Sequence, residues 1–318
     1  SSLAALAEFQ EGRWVRALLP CQENLSETGA YVVRLCIGGR WRNIVVDDRL
    51  PCIGGGAYYT QVAYCMTRRL QLWASLIEKA FAKACGSYEA LVGGEATEAL
   101  SVLTGWPCSL IRFDRPDFDP DILWATLCSA RDTQYLMTCS TAHVAPGDAS
   151  SLVPFHVYSL MSVFDVEDAQ RQPVRLLKIR NPHSTLKWQG AWSDTSPEWT
   201  PKLRQEFGCP EGGVPGVFFM ALPDFLCRFA HCTICRIRSH EWYEGRLELN
   251  LPSGDVPAVG VVLEAAETTE CCLSLAQIEE RTRQATMNAG EGAMACIGFV
   301  LVEKEAVSAK SGAASAED

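Results

Sequence analysis

LLKIRNPHSTLKWQGAWSD, residues 176–194, carries the first decision about this chain. Its Leu- and Ile-rich opening reads as a strand ending on Arg180. Asn181-Pro182 then stops it, because proline has no N–H for a ladder and pushes the preceding residue toward extended or turn geometry. Upstream, PFHVYSLMSVFDV (154–166) sets His156 at the head of a second strand-like run. Two such strands side by side bring His156 and Asn181 to one end of a sheet.

Around these segments lie 318 residues, 48% of them apolar, enough for roughly two globular domains. A net charge of −10 with no basic stripe argues against nucleic acid as a partner, since phosphate contacts need clustered Lys and Arg. No window approaches the length of a membrane span, and SSLAALAEF lacks the basic flank of a signal peptide, so the expected location is the cytoplasm. The 15 cysteines are scattered without a small secreted framework and read as reduced thiols. Cys232-Thr-Ile-Cys235 and the Cys271-Cys272 pair have no second ligand pair at zinc spacing, so burial in strands explains them better than metal or redox chemistry.

Along the chain, SSLAALAEFQE places Leu3, Leu6 and Ala7, with Ala4 beside them, on one helical face. No capping box precedes that face, so the helix is expected to begin upstream of Ser1. AYVVRLCIGGRWRNIVVDDRLP (30–51) predicts a hairpin turning at Gly38-Gly39. Leu70 to Ala84 keeps a helical period with Gly86 as its stop, and a shorter helix over Thr97–Leu103 ends at a Thr-Gly-Trp-Pro hinge. A helix over Leu123–Arg131 follows, then strands at Thr133–Thr138, His156–Val163 and Val174–Ile179. GVFFMALPDFLCRF (216–229) predicts a strand and a short helix that Pro223 can start. RLELNL, CCLSLAQ and CIGFVLV predict short sandwich-like strands, and the small, polar tail from Ala306 predicts disorder.

A histidine and an asparagine are two thirds of a thiol-protease triad, in which the imidazole takes the thiol proton and the amide orients the ring. The missing cysteine belongs at a helix N-terminus, where the dipole favours thiolate. Other features have plainer explanations. Asp47-Asp48 point to opposite faces of a strand and serve turn amides. Gly54-Gly55-Gly56 and Gly93-Gly94 lack the context of phosphate loops. Glu78 and Glu89 read as surface or capping charges.

Several blocks, in order, resemble the calpain protease core: WRNIVVDDRLP, the stretch LWASLIEKAFAKACGSYEALVGGEATEALSVLTG, then HVYSLMSVFDV, LLKIRNP and WQGAWSDTSPEW. GVFFMALPDFLCRFAHCTICRI resembles the end of that core, and CCLSLAQIEER with CIGFVLV the following β-sandwich. The resemblance implies an α+β, papain-like calpain core of two subdomains (1–105, helical, and 106–236, β-rich), a partial β-sandwich (237–306) and a disordered tail (307–318). It implies an intracellular cysteine endopeptidase that makes limited cuts in protein substrates. His156 matches the catalytic histidine and Asn181 the catalytic asparagine. Ser1-Ser2-Leu3-Ala4 looks like the continuation of the nucleophile motif, which places the cysteine and the oxyanion glutamine upstream.

The family is also calcium-regulated, with no organic cofactor, and four departures bear on this chain's activity. Phe155 stands where the family has glycine, crowding the cleft, and His183 stands where a tryptophan shields the His–Asn bond. At the second subdomain's calcium site, Lys187 replaces an acidic residue, while Pro215 and Val217 fill further positions expected to be acidic. Only Asp194 remains, and it reads as a solvated turn residue, so calcium is expected from the family but its site looks eroded. The alternative to a peptidase is a degenerate calpain-like binding or scaffolding protein that holds partners without cutting them.

Overall fold

The computed structural model describes residues 1–20, 25–56, 59–67, 69–141, 152–168, 170–182, 186–238, 241–248, 261–278 and 282. Helix α1 spans Ser2–Glu8 and α2 spans Arg13–Ala17. Ser2, Ala5 and Leu6 are the most buried positions of α1, with Leu3 and Ala7 packed at its margins. Strands β1 (Ala30–Ile37) and β2 (Arg40–Asp47) form the expected hairpin. Gly38 and Gly39 turn it with φ of +56° and +76°, a region that costs a side-chain-bearing residue about 1–2 kcal/mol. After the short pair β3 (Cys52–Gly56) and β4 (Tyr59–Val62) come α3 (Trp73–Cys85) and α4 (Ala96–Thr104), closed by Gly86 and Gly105. Leu6, Leu35, Ile77 and Leu100 join these pieces in one core.

Beyond the hinge runs a six-stranded antiparallel sheet of β5 (Cys108–Arg112), β6 (Leu136–Thr141), β7 (Val157–Glu167), β8 (Pro173–Arg180), β9 (Val217–Ala221) and β10 (Phe229–Cys235). Its spatial order is β5-β10-β6-β7-β8-β9. One face carries α5 (Pro120–Asp132) and α7 (Leu222–Arg228) over Leu127, Tyr158, Leu177, Phe218 and Phe225. The opposite face is covered by α6 (Pro201–Phe207) with Trp192, Trp199, Phe219 and Leu176. Leu176 and Leu177 therefore point to opposite, equally dry faces, which explains the unbroken apolar run of β8.

Strand β10 serves two cores. Cys232 and Ile234 pack with the sheet's helices, while Cys235 and Ile237 pack with α4 and the hairpin. The two cysteines of this C-x-x-C thus face apart, because residues three apart on a strand lie on opposite sides.

One expectation differs from the structure. The strand expected over Thr133–Thr138 begins instead at Leu136, because α5 continues to Asp132. It closes with Tyr135 N donating to Ala130 O at 2.8 Å, Gln134 taking φ of +57° where glycine is usual. Of the sandwich strands expected at 246–251, 271–277 and 296–302, residues 249–251 and 296–302 lie outside the described residues, as does the tail. Arg246 reaches back to the hairpin and hinge, donating to Gly39 O (2.6 Å) and Gly105 O (2.9 Å).

Candidate active site

Strands β7 and β8 pair antiparallel with Ser159 opposite Arg180, so the start of β7 and the end of β8 share one end of the sheet. His156 immediately precedes β7 and Asn181 immediately follows β8. The His156 backbone is clamped on Thr141, the last residue of β6. Its N–H donates to Thr141 Oγ1 (3.0 Å) and its carbonyl accepts from Thr141 N (3.0 Å). The imidazole lies edge-on to Tyr158 with ring centroids 5.0 Å apart, and the Tyr158 hydroxyl accepts from Val153 N at 2.9 Å. Residues on both sides of the histidine are therefore fixed to a fully buried aromatic.

Asn181 is buried. Its backbone N–H donates to Gly216 O at 2.8 Å and its side-chain Nδ2 donates to Leu186 O at 3.0 Å. With Nδ2 committed, Oδ1 is the atom through which this side chain can receive an imidazole N–H, the polarity an orienting asparagine requires. Arg180 pairs with Glu8 of α1 at 2.5 Å, tying the first helix to the strand end that carries Asn181. Burial pushes the Glu8 carboxyl above its ordinary value, while Arg180 opposes the shift. Neither partner stands out in the sequence, because nothing in the local pattern relates an acidic residue on an apolar helix to a distant strand end.

Phe155 is 75% exposed and adopts φ of +50°, the left-handed region natural to glycine. Replacing it by glycine removes that strain at little packing cost. Phe155→Gly is expected to raise stability by up to about 1 kcal/mol, seen as a higher urea midpoint at unchanged slope. A lower midpoint would show that the ring contributes more than its backbone costs. His183 lies outside the described residues.

The calcium site implied by the resemblance can be tested against its residues. Lys187 Nζ stands 2.6 Å from Asp194 Oδ2, with the two side chains only 12% and 20% exposed. Asp194 is therefore a half-buried ion-pair partner rather than a solvated turn residue. Pro215 is exposed and Val217 is buried in β9, so neither offers an oxygen-rich side chain. An ammonium already sits against the one carboxylate, and a second positive charge there would be repelled; the residues do not fit calcium. Elsewhere, Asp47 accepts from Arg49 N (2.8 Å) and Lys79 Nζ (2.7 Å), which hold its carboxyl below the usual range. Glu78, half-buried, accepts from Cys65 N at 2.8 Å.

The family described as calpain family cysteine protease matches residues 1–236. The chain belongs to the calpain family. It is 35% identical over 250 residues to the calpain-type cysteine protease DEK1 of Arabidopsis thaliana, covering 75% of this chain and 11% of that protein. To calpain-B of Drosophila melanogaster it is 32% identical over 250 residues, 74% of this chain and 26% of the relative. To mouse calpain-8 it is 29% identical over 302 residues, 83% and 41% respectively. The chain thus spans well under half the length of these calpain relatives. No helix among the described residues is long and apolar enough to cross a membrane.

Proposed function

We propose that this chain is the greater part of a calpain-type endopeptidase core, acting on protein substrates by acyl transfer through a cysteine thiolate. The helical layer and the six-stranded sheet act as two subdomains, with the cleft between them. A cysteine preceding Ser1, at the N-terminus of the α1 helix, attacks the peptide carbonyl. His156 first takes the thiol proton and then returns it to the leaving amine, and Asn181 orients the imidazole. The observation that carries this reading is the shared position of His156 and Asn181 at one end of β7 and β8, with the Asn181 amide anchored by Leu186 O. The cysteines of the described residues are free, as in a reducing compartment, which supports a cytoplasmic location.

A second reading, a scaffold that binds protein without cutting, is favoured by Phe155, whose exposed ring stands beside His156 where a peptide backbone would lie. One experiment separates them. The chain extended upstream through the nucleophile position is incubated with a casein substrate, with and without iodoacetamide. Discrete fragments that disappear after alkylation are expected. An extended chain carrying the cysteine that cuts nothing, even as Phe155→Gly, overturns the peptidase reading in favour of the scaffold.

A further inference from the structure

Two segments converge on Asn181, and each is fastened by the same ion pair. Leu186, whose carbonyl holds the Asn181 amide, is bonded to Lys187. Gly216, whose carbonyl holds the Asn181 backbone N–H, closes the loop that precedes β9. Lys187 reaches Asp194 at 2.6 Å, and Asp194 lies directly against Gly213 of that loop, where any Cβ would overlap its carboxylate. The Asp194 carbonyl is itself held by Arg204 of α6 at 2.8 Å. The remainder of segment 186–199 is bonded within itself: Trp188 Nε1 donates to Ala191 O (2.7 Å), Trp199 Nε1 donates to Ser193 O (2.9 Å), and Trp192 and Trp199 meet edge to face at 5.1 Å.

We infer that the Lys187 ammonium is a built-in cation: by pairing with Asp194 it fastens segment 186–194 beside the loop before β9 and so positions Asn181 without a metal. Lys187 is thus a positioning residue, acting through the Leu186 carbonyl. The geometry has a physical reason. A carboxylate this buried needs a counter-charge, and a tethered ammonium supplies one permanently, whereas a metal supplies it only at sufficient concentration. The stability and calcium claims stand on this pair alone; the catalytic consequence rests on the peptidase reading above.

The test uses the chain as it is, with no peptidase assay. Asparagine is labelled with nitrogen-15 and the exchange of the Asn181 side-chain amide protons is followed by NMR, alongside melting in chelator and in millimolar calcium chloride. Lys187→Met should lower the midpoint by roughly 5–15 °C and speed Asn181 amide exchange at least tenfold, because it strands a buried carboxylate. Lys187→Arg should keep slow exchange. Should Lys187→Met fail to fold, the charge-free double variant Lys187→Met with Asp194→Leu carries the same test, with a retained fold and fast exchange expected. The wild-type midpoint should be the same with and without calcium. Slow Asn181 exchange in either neutral variant, or a wild-type midpoint raised by calcium, overturns the inference. Because none of these readouts involves cleavage, their failure leaves the peptidase reading intact, and failure of that reading leaves these results standing.

Discussion

His156→Ala, made in the upstream-extended chain, should reduce kcat/KM on a peptide substrate by at least ~10³-fold, because removing the base of a nucleophile–base unit costs nearly as much as removing the unit. The thiol alone is mostly protonated at neutral pH, and the other described histidine, His231, lies two strands from β7 on β10 with its Nε2 3.6 Å from Glu95. Asn181→Ala should cost less, on the order of 10²-fold, since the His156 backbone keeps its clamp on Thr141 and the ring keeps its contact with Tyr158, losing only its orienting acceptor. The pair of variants is diagnostic because both should leave KM nearly unchanged. Activity surviving His156→Ala would assign the base elsewhere, and equal losses for the two would contradict the division of roles.

The second large effect is on stability. Tyr158 is fully buried among Phe218 (6.0 Å), Phe229 (5.5 Å) and the His156 ring, and its hydroxyl satisfies the Val153 amide. Tyr158→Ala should cost about 3–5 kcal/mol for the cavity, with a further ~1–3 kcal/mol for the orphaned amide. The extended protein would then be largely unfolded at moderate urea. Tyr158→Phe keeps the packing and loses only the hydrogen bond, so it should cost only about 1–2 kcal/mol. It also frees the segment that carries His156, and the loss of activity should exceed what its small change in urea midpoint explains. A Tyr158→Ala protein with wild-type midpoint would contradict both contributions, the packing of the ring and the bond to the Val153 amide.

Much of this arrangement was legible before any coordinates. The β-branched runs and the Asn-Pro stop place His156 and Asn181 at strand ends because side-chain period and proline chemistry are local properties. The α3 and α4 helices were legible for the same reason, with glycines ending each. What local pattern cannot express is which distant residues meet. Lys187 and Asp194 are separated by the Trp188–Trp192 turn, and the sequence marks Lys187 only as a positive charge where a carboxylate was expected; that it finds Asp194 is decided by folding. The same holds for Glu8 and Arg180. Strand order is equally hidden, since nothing in FAHCTIC says that it lies between β5 and β6.

The insertion of β10 between β5 and β6 has a bearing on how the protein is made. A ribosome delivers β5 to β9 first, and until residues 229–235 emerge, β5 and β6 each present an open edge with no strand to join them. The sheet's closing piece is also the one that seals the earlier core, through Cys235 and Ile237. Completion of both halves therefore awaits nearly the last turn of synthesis of this unit, and a nascent chain stalled before Phe229 exposes unpaired edges of the kind that chaperones shield.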